Sequence, residues 1–217
     1  MNWGKCFFSG CVAGLCIALG GTVFLSSDSK ILGAVLFTVG LFTICTFEFS
    51  LFTGKVCYLP EHDLTYAGEL VPIWLGNLSG TWAAARLLVS TRYGTALAEK
   101  AVDLCTVKLM DDPLSLFILA IFCNILIYIA VENYNCNPQE VGRYLAMFLG
   151  VVVFIFCGFE HCVADMFYFS LADVWNDRTI LCLLMVTFGN SVGGLLLPLA
   201  RLLLNGKIRR LEAKQRK

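Results

Sequence analysis

Charge is scarce in this chain. Sixteen basic and sixteen acidic residues among 217 make up 15% of the sequence, against 58% apolar residues, whereas soluble domains are about a quarter charged. With a mean hydropathy of +0.76, the deficit excludes an ordinary soluble domain and identifies an integral membrane protein. A formal net charge of zero gives no electrostatic reason to bind nucleic acid. Histidine is scarcer still, with only His62 and His161, so a metal centre would be short of nitrogen ligands. No nucleophile and base stand at a recognisable spacing either, and neither an enzyme nor a cofactor or metal is expected. Cysteine is plentiful at eleven residues, but none of them forms a Cys-x-x-Cys pair and most fall inside apolar runs. There a free thiol behaves as a small hydrophobe, so neither a zinc site nor a disulfide framework is indicated.

Long apolar runs are the dominant feature. A helix needs about 17–25 apolar residues to cross the hydrocarbon layer, and runs of that kind occur at Phe7–Leu25, Ile31–Phe52, Leu70–Val89, Leu114–Val131, Tyr144–Leu171 and Ile180–Leu204. Six spanning segments in one domain, residues 1–206, are therefore expected. The first run lacks a small-residue cleavage site and is kept as a helix. The tail from Lys207 to Lys217 is far more basic than any loop, which places it in the cytoplasm, and an even number of spans puts the N-terminus beside it. The connection carrying Arg92, Lys100 and Lys108 then lies outside.

Polar residues interrupt two of the runs. In the fifth, Gly158 precedes Glu160, His161 and Asp165, and ionisable side chains at that depth must face protein or water rather than lipid. In the second, Glu48 and Thr53-Gly54 break the apolar pattern in the same way, and Gly54 is the expected site of the break. The segment after each break carries Gly-Asn-x-x-Gly, as Gly76-Asn77-x-x-Gly80 and as Gly189-Asn190-x-x-Gly193. Three segments per half place the second half upside down relative to the first. That plan gives two inverted three-helix repeats whose interrupted helices, the second and the fifth, meet at a midplane site. Asn124 lies alone in the fourth run, where an amide serves as interhelical glue or as part of that site. Gly10, Gly14 and Ala18 form a small-residue stripe for close helix packing, within the chain or between subunits.

Phe52-Thr-Gly54, the two Gly-Asn-x-x-Gly motifs, Gly158-Phe-Glu-His161 and Ala164-Asp-Met-Phe167 stand in order along nearly the whole chain. In this it resembles the formate/nitrite transporter family. The resemblance implies an all-α, aquaporin-like protomer of six transmembrane helices, a homopentamer with one pore per protomer, and passage of small monovalent anions across the cytoplasmic membrane. It assigns His161, Thr53 and Asn124 to the pore centre and Lys5 and Lys108 to anion-attracting vestibules. It further implies a cytoplasmic constriction of Phe37 and Leu41 and an outer one of Leu51, Phe52 and Phe154. Ser50 stands where the family usually has an acid, which leaves the path of that loop open.

The expected mechanism follows from the cost of carrying a charge past apolar rings. Lysines at the mouths raise the local anion concentration, and a weak acid that takes a proton crosses as the neutral molecule. His161 is the side chain suited to proton exchange near neutrality. Formate is expected first and nitrite next, with hydrosulfide or another short monocarboxylate as alternatives. A neutral-solute channel of the same architecture and a membrane enzyme or metal site on Glu160, His161 and Asp165 remain as rival classes.

Overall fold

The computed structural model describes residues 2–205, and the regular secondary structure there is entirely helical. The basic tail lies outside the described residues. In chain order the helices are α1 Trp3–Ser26, α2 Lys30–Thr46, α3 Phe52–Lys55 with a 3-10 turn at Val56–Glu61, α4 Leu64–Val89, α5 Gly94–Met110, α6 Pro113–Cys136, α7 Glu140–Cys157, α8 Cys162–Ala172 and α9 Asp177–Asn205. Four of them, α1, α6, α7 and α9, are each long and apolar enough to cross a bilayer, and α2 and α8 are shorter apolar helices.

Among the described residues the six apolar runs become nine helices, and this has two physical sources. The second and fifth runs are each split, into α2 with α3 and into α7 with α8. The connection of residues 90–113 is also no loop, because it contains α5. Glu99, Lys100, Asp103 and Lys108 interleave with its apolar residues, which hides the helix from a search for unbroken apolar runs.

Local signals set the ends. Side chains of Asn2, Ser29, Asp63 and Asp112 accept backbone N–H bonds at the starts of α1, α2, α4 and α6, and Pro113 opens α6, where its missing N–H has no intrahelical partner to lose. Packing then follows the small residues. A Cβ on Gly76 or Gly80 of α4 would lie 2.3 or 2.0 Å from the carbonyl oxygens of Phe7 and Cys11 on α1. One on Gly189 or Gly193 of α9 would lie 2.4 or 2.1 Å from those of Phe117 and Ile121 on α6. Backbone therefore touches backbone in both pairs, as helices lacking a hydrophobic drive toward one another require. From the other side, Gly10 and Gly14 meet the carbonyls of Ile73 and Asn77, so the α1 stripe is an internal face. Two matching groups result, α1 with α2 and α4, and α6 with α7 and α9, joined where α2 crosses α7. α8 sits among α4, α5, α9 and α1.

Candidate functional site

The site begins where the two split helices stop. After α2 the chain turns at Glu48, a non-glycine residue at φ 59°, and Phe49 N donates to Ile44 O at 3.0 Å. After α7 it turns at Gly158, φ 70°, and Phe159 N donates to Phe154 O at 2.9 Å. Nothing lies within 4 Å of a Cβ built on Gly158, so conformation and not space calls for glycine there. The break expected at Gly54 lies instead at Glu48. Gly54 is inside α3, and a Cβ on it would meet only Val131 at 3.7 Å.

Each break frees backbone groups that need partners away from water. One asparagine per half supplies them. Asn77 Oδ1 accepts from Phe52 N at 2.8 Å, while its Nδ2 donates to Gly10 O at 2.9 Å and Ser50 O at 3.0 Å. Asn190 Oδ1 accepts from Cys162 N at 2.9 Å, and its Nδ2 donates to Ala120 O and Glu160 O, both at 2.9 Å. These matching bonds pair Ser50 with Glu160 and Phe52 with Cys162, so His161 occupies the place of Leu51. Ser50, without the expected acid, is held to α1: its N–H donates to Ser9 Oγ at 2.9 Å and the two hydroxyls are 3.0 Å apart.

Between the breaks, Thr53 Oγ1 and His161 Nε2 are 2.9 Å apart, and both residues are buried. His161 also caps α8, accepting Ala164 N–H on Nδ1 at 3.1 Å. With Nδ1 used as an acceptor, the neutral ring carries its hydrogen on Nε2 and donates to Thr53. The threonine keeps its own hydroxyl hydrogen to offer to a third group. Asn124 Nδ2 donates to Thr53 O at 3.0 Å, and its buried Oδ1 has no hydrogen-bond partner among the described residues. The centre thus holds a hydroxyl donor on Thr53 and an open amide acceptor on Asn124, the residue bonded to the Thr53 carbonyl.

Aromatic and aliphatic residues flank this centre in two groups. Phe37 meets Phe154 edge-on with centroids 6.0 Å apart, and Phe154 stacks on the His161 ring at 5.7 Å. Leu41 and Leu51 instead line one cavity of about 250 Å³ together with Gly54, Lys55, Tyr58 and Asn135. Phe37 therefore belongs with Phe154, and Leu41 with Leu51; Phe52 is buried at the start of α3.

Lys108, expected at a vestibule, is engaged in an ion cluster. Its ammonium bonds Glu160 Oε2 and lies 3.0 Å from Asp165 Oδ1, with side-chain exposures of 11%, 6% and 1% in the order lysine, glutamate, aspartate. One cation faces two carboxyl groups, so Lys108 is neutralised in a closed cluster beside His161. Lys5 is exposed in the first turn of α1 and does not line the cavity. Among the described residues, no group of histidine, cysteine, aspartate and glutamate is placed to hold a metal ion.

The family model for formate/nitrite transporters matches residues 1–203. The chain belongs to the formate/nitrite transporter family. The chain is 24% identical to the formate channel FocA of Haemophilus influenzae, over 87% of this chain and 82% of that one. It is 29% identical to the nitrite transporter NirC of Salmonella typhimurium, over 88% and 78%. Among solved structures, a pentameric formate channel with formate bound superposes with a TM-score of 0.77 at 23% identity, covering 93% of this chain and 97% of that one. That likeness establishes the fold. As a formate/nitrite transporter family member with several apolar helices, the chain is a multi-pass membrane transport protein, and its relatives are channels and transporters rather than enzymes.

Sequence reasoning missed three parts of the site in this family member. The Lys108 cluster was missed because its partners lie 52 and 57 positions away in sequence. Glu48 was read as a polar interruption but not as the turn. Lys55, two residues beyond Thr53, was passed over, although its place on the same short helix could have flagged it.

Proposed function

We propose that this chain is a channel for small monovalent anions of weak acids, formate foremost and nitrite next, in the cytoplasmic membrane. Six crossings arranged as two inverted three-helix repeats, with α5 as the connection between them, form the protomer, and five protomers form the assembly. The basic tail and the N-terminus lie in the cytoplasm. The cavity opens on the face where α1 begins and α9 ends, because Ser9 holds the turn before α3 and Arg201 bonds Glu132, which accepts from Tyr58 of the cavity wall. Leu41 and Leu51 then form the cytoplasmic constriction and Phe37 with Phe154 the outer one, with Phe52 supporting the first.

The contact between Thr53 and His161 at the meeting of the two broken segments carries this reading. A carboxylate passing there finds the Thr53 hydroxyl as donor, and its protonated form finds Asn124 Oδ1 as acceptor. A proton that His161 takes up from water can pass through the Thr53 hydroxyl to the anion, which returns the ring to its neutral form and lets the anion cross as the neutral acid, because an unpaired charge between apolar rings is costly. Lys5 draws anions toward the cytoplasmic face. Lys108 holds Glu160 and Asp165 and so braces the turn that presents His161.

Reconstitution tests this. Formate and nitrite flux into proteoliposomes is expected to exceed that of glycerol, and His161→Phe is expected to abolish the dependence of anion flux on pH while the protein stays folded. Unchanged flux and unchanged pH dependence in that variant would remove the histidine from the mechanism. Faster glycerol than formate would select the neutral-solute reading.

A further inference from the structure

We propose that Lys55 is the anion-receiving residue of this pore, holding a small monovalent oxyanion in the cavity in front of Leu41 and Leu51. The inference rests on the anion-channel reading above and names the group that serves it at the mouth. The cavity runs from the exposed Glu48 and Asn135 to the buried Leu41 and Leu51, and Gly54 in its wall adjoins Thr53. Its volume of about 250 Å³ takes such an anion with several waters, at about 30 Å³ of liquid volume per water.

The other cations are engaged elsewhere. Lys108 is bound to Glu160 and Asp165, Arg201 to Glu132, Arg86 to Asp173 and Lys100 to Asp28. Lys30 lies over the Phe156 ring, and Lys5 is outside the cavity. Among the described residues, Lys55 has no carboxylate within ion-pair distance, and it is the only cation in the cavity wall. Its backbone is fixed on both sides: Lys55 N donates to Leu51 O at 2.8 Å, and Lys55 O accepts from Tyr66 Oη at 2.9 Å. The ammonium is therefore rooted next to the constriction while its stem stays free to follow an anion. Tyr58 Oη donates to Glu132 Oε2 at 3.0 Å, so its hydroxyl hydrogen is already used and the lysine is left as the charged donor. Glu48, on the rim of the same cavity, opposes it. A cation within apolar walls concentrates anions at the entrance, and between exposed charges that effect is screened by salt.

The test is the concentration dependence of formate and nitrite flux in proteoliposomes of the full chain, at low and high ionic strength. Lys55→Met is expected to raise the half-saturating concentration about three- to tenfold at low salt, while the maximal rate stays within about twofold and the gap narrows at high salt. Lys55→Arg is expected to restore most of the affinity, and Glu48→Gln, which leaves the lysine untouched, to lower the half-saturating concentration. Lys5→Met is expected to shift it less than Lys55→Met. Superimposable curves for the unmodified chain and Lys55→Met, or a rise with Glu48→Gln, would overturn the proposal while leaving the anion channel standing. No formate or nitrite flux in the unmodified chain would overturn both.

Discussion

The two halves of the molecule share a scaffold and differ in what they mount on it. Asn77 and Asn190 make the same three bonds, Gly76 and Gly189 allow the same close approach, and both split helices end in a left-handed residue. On that frame one half places Ser50, Leu51 and Thr53, and the other places Glu160, His161 and Val163. Similar backbone, different side chains: the polar centre is built where the repeat is broken, Thr53 coming from one half and His161 from the other. Asn124 follows the same logic, for it occupies the place on α6 that Gly14 holds on α1, where a side chain would collide with Asn77 O. Symmetry makes the fold, and the departures from it make the site.

The largest expected effect comes from the shared part. Asn77→Leu and Asn190→Leu each take the partner from two backbone groups at a break, Phe52 N and Ser50 O or Cys162 N and Glu160 O. At about 1–3 kcal/mol per buried orphan, each variant is expected to lose roughly 2 kcal/mol or more and to yield little monodisperse protein on size-exclusion chromatography in detergent. A severe defect in one variant alone would break the equivalence of the halves. Smaller, and unequal between halves, is the effect at the turns. Gly158→Ala puts a Cβ on a left-handed backbone at a cost of roughly 1–2 kcal/mol and is expected to lower the thermal midpoint. Glu48→Gly relieves the same strain while adding freedom to the unfolded chain, so its midpoint is expected to stay near that of the unmodified protein.

The smallest effect lies outside the repeat contacts, at the cap of α4. Bonds from the Thr65 hydroxyl and from backbone N–H groups hold the Asp63 carboxyl below the usual carboxylate range. A group depressed on folding contributes above its unfolded value of about 3.9, and the contribution fades as pH falls through the lower folded value. Asp63→Ala is therefore expected to lower the thermal midpoint slightly at neutral pH and not at all at strongly acidic pH. A shift that persists in acid would assign the effect to packing.

The architecture was legible because its signals are local: apolar runs gave the long helices, and the repeated Gly-Asn-x-x-Gly marked where helices touch. His161, Thr53 and Asn124 were legible as a set through the family resemblance, and the structure brings the three together. What stayed hidden depends on distant partners. α5 was concealed by charges, two of which carboxyl groups on other segments engage, and the contact of Phe37 with Phe154 and the shared wall of Leu41 and Leu51 lie across helices rather than along them. Glu48 was not read as the turn because glycine, not glutamate, is the usual residue at a left-handed turn.

Among the described residues α5 is the helix that joins the two halves, and it contributes the lysine of the buried cluster. Two copies of one half, assembled as separate polypeptides, could reproduce the asparagine braces and the close glycine contacts. The cation between Glu160 and Asp165 comes instead from the segment that joins the halves. That link is thus more than a tether, for it carries one charge of the cluster beside the imidazole.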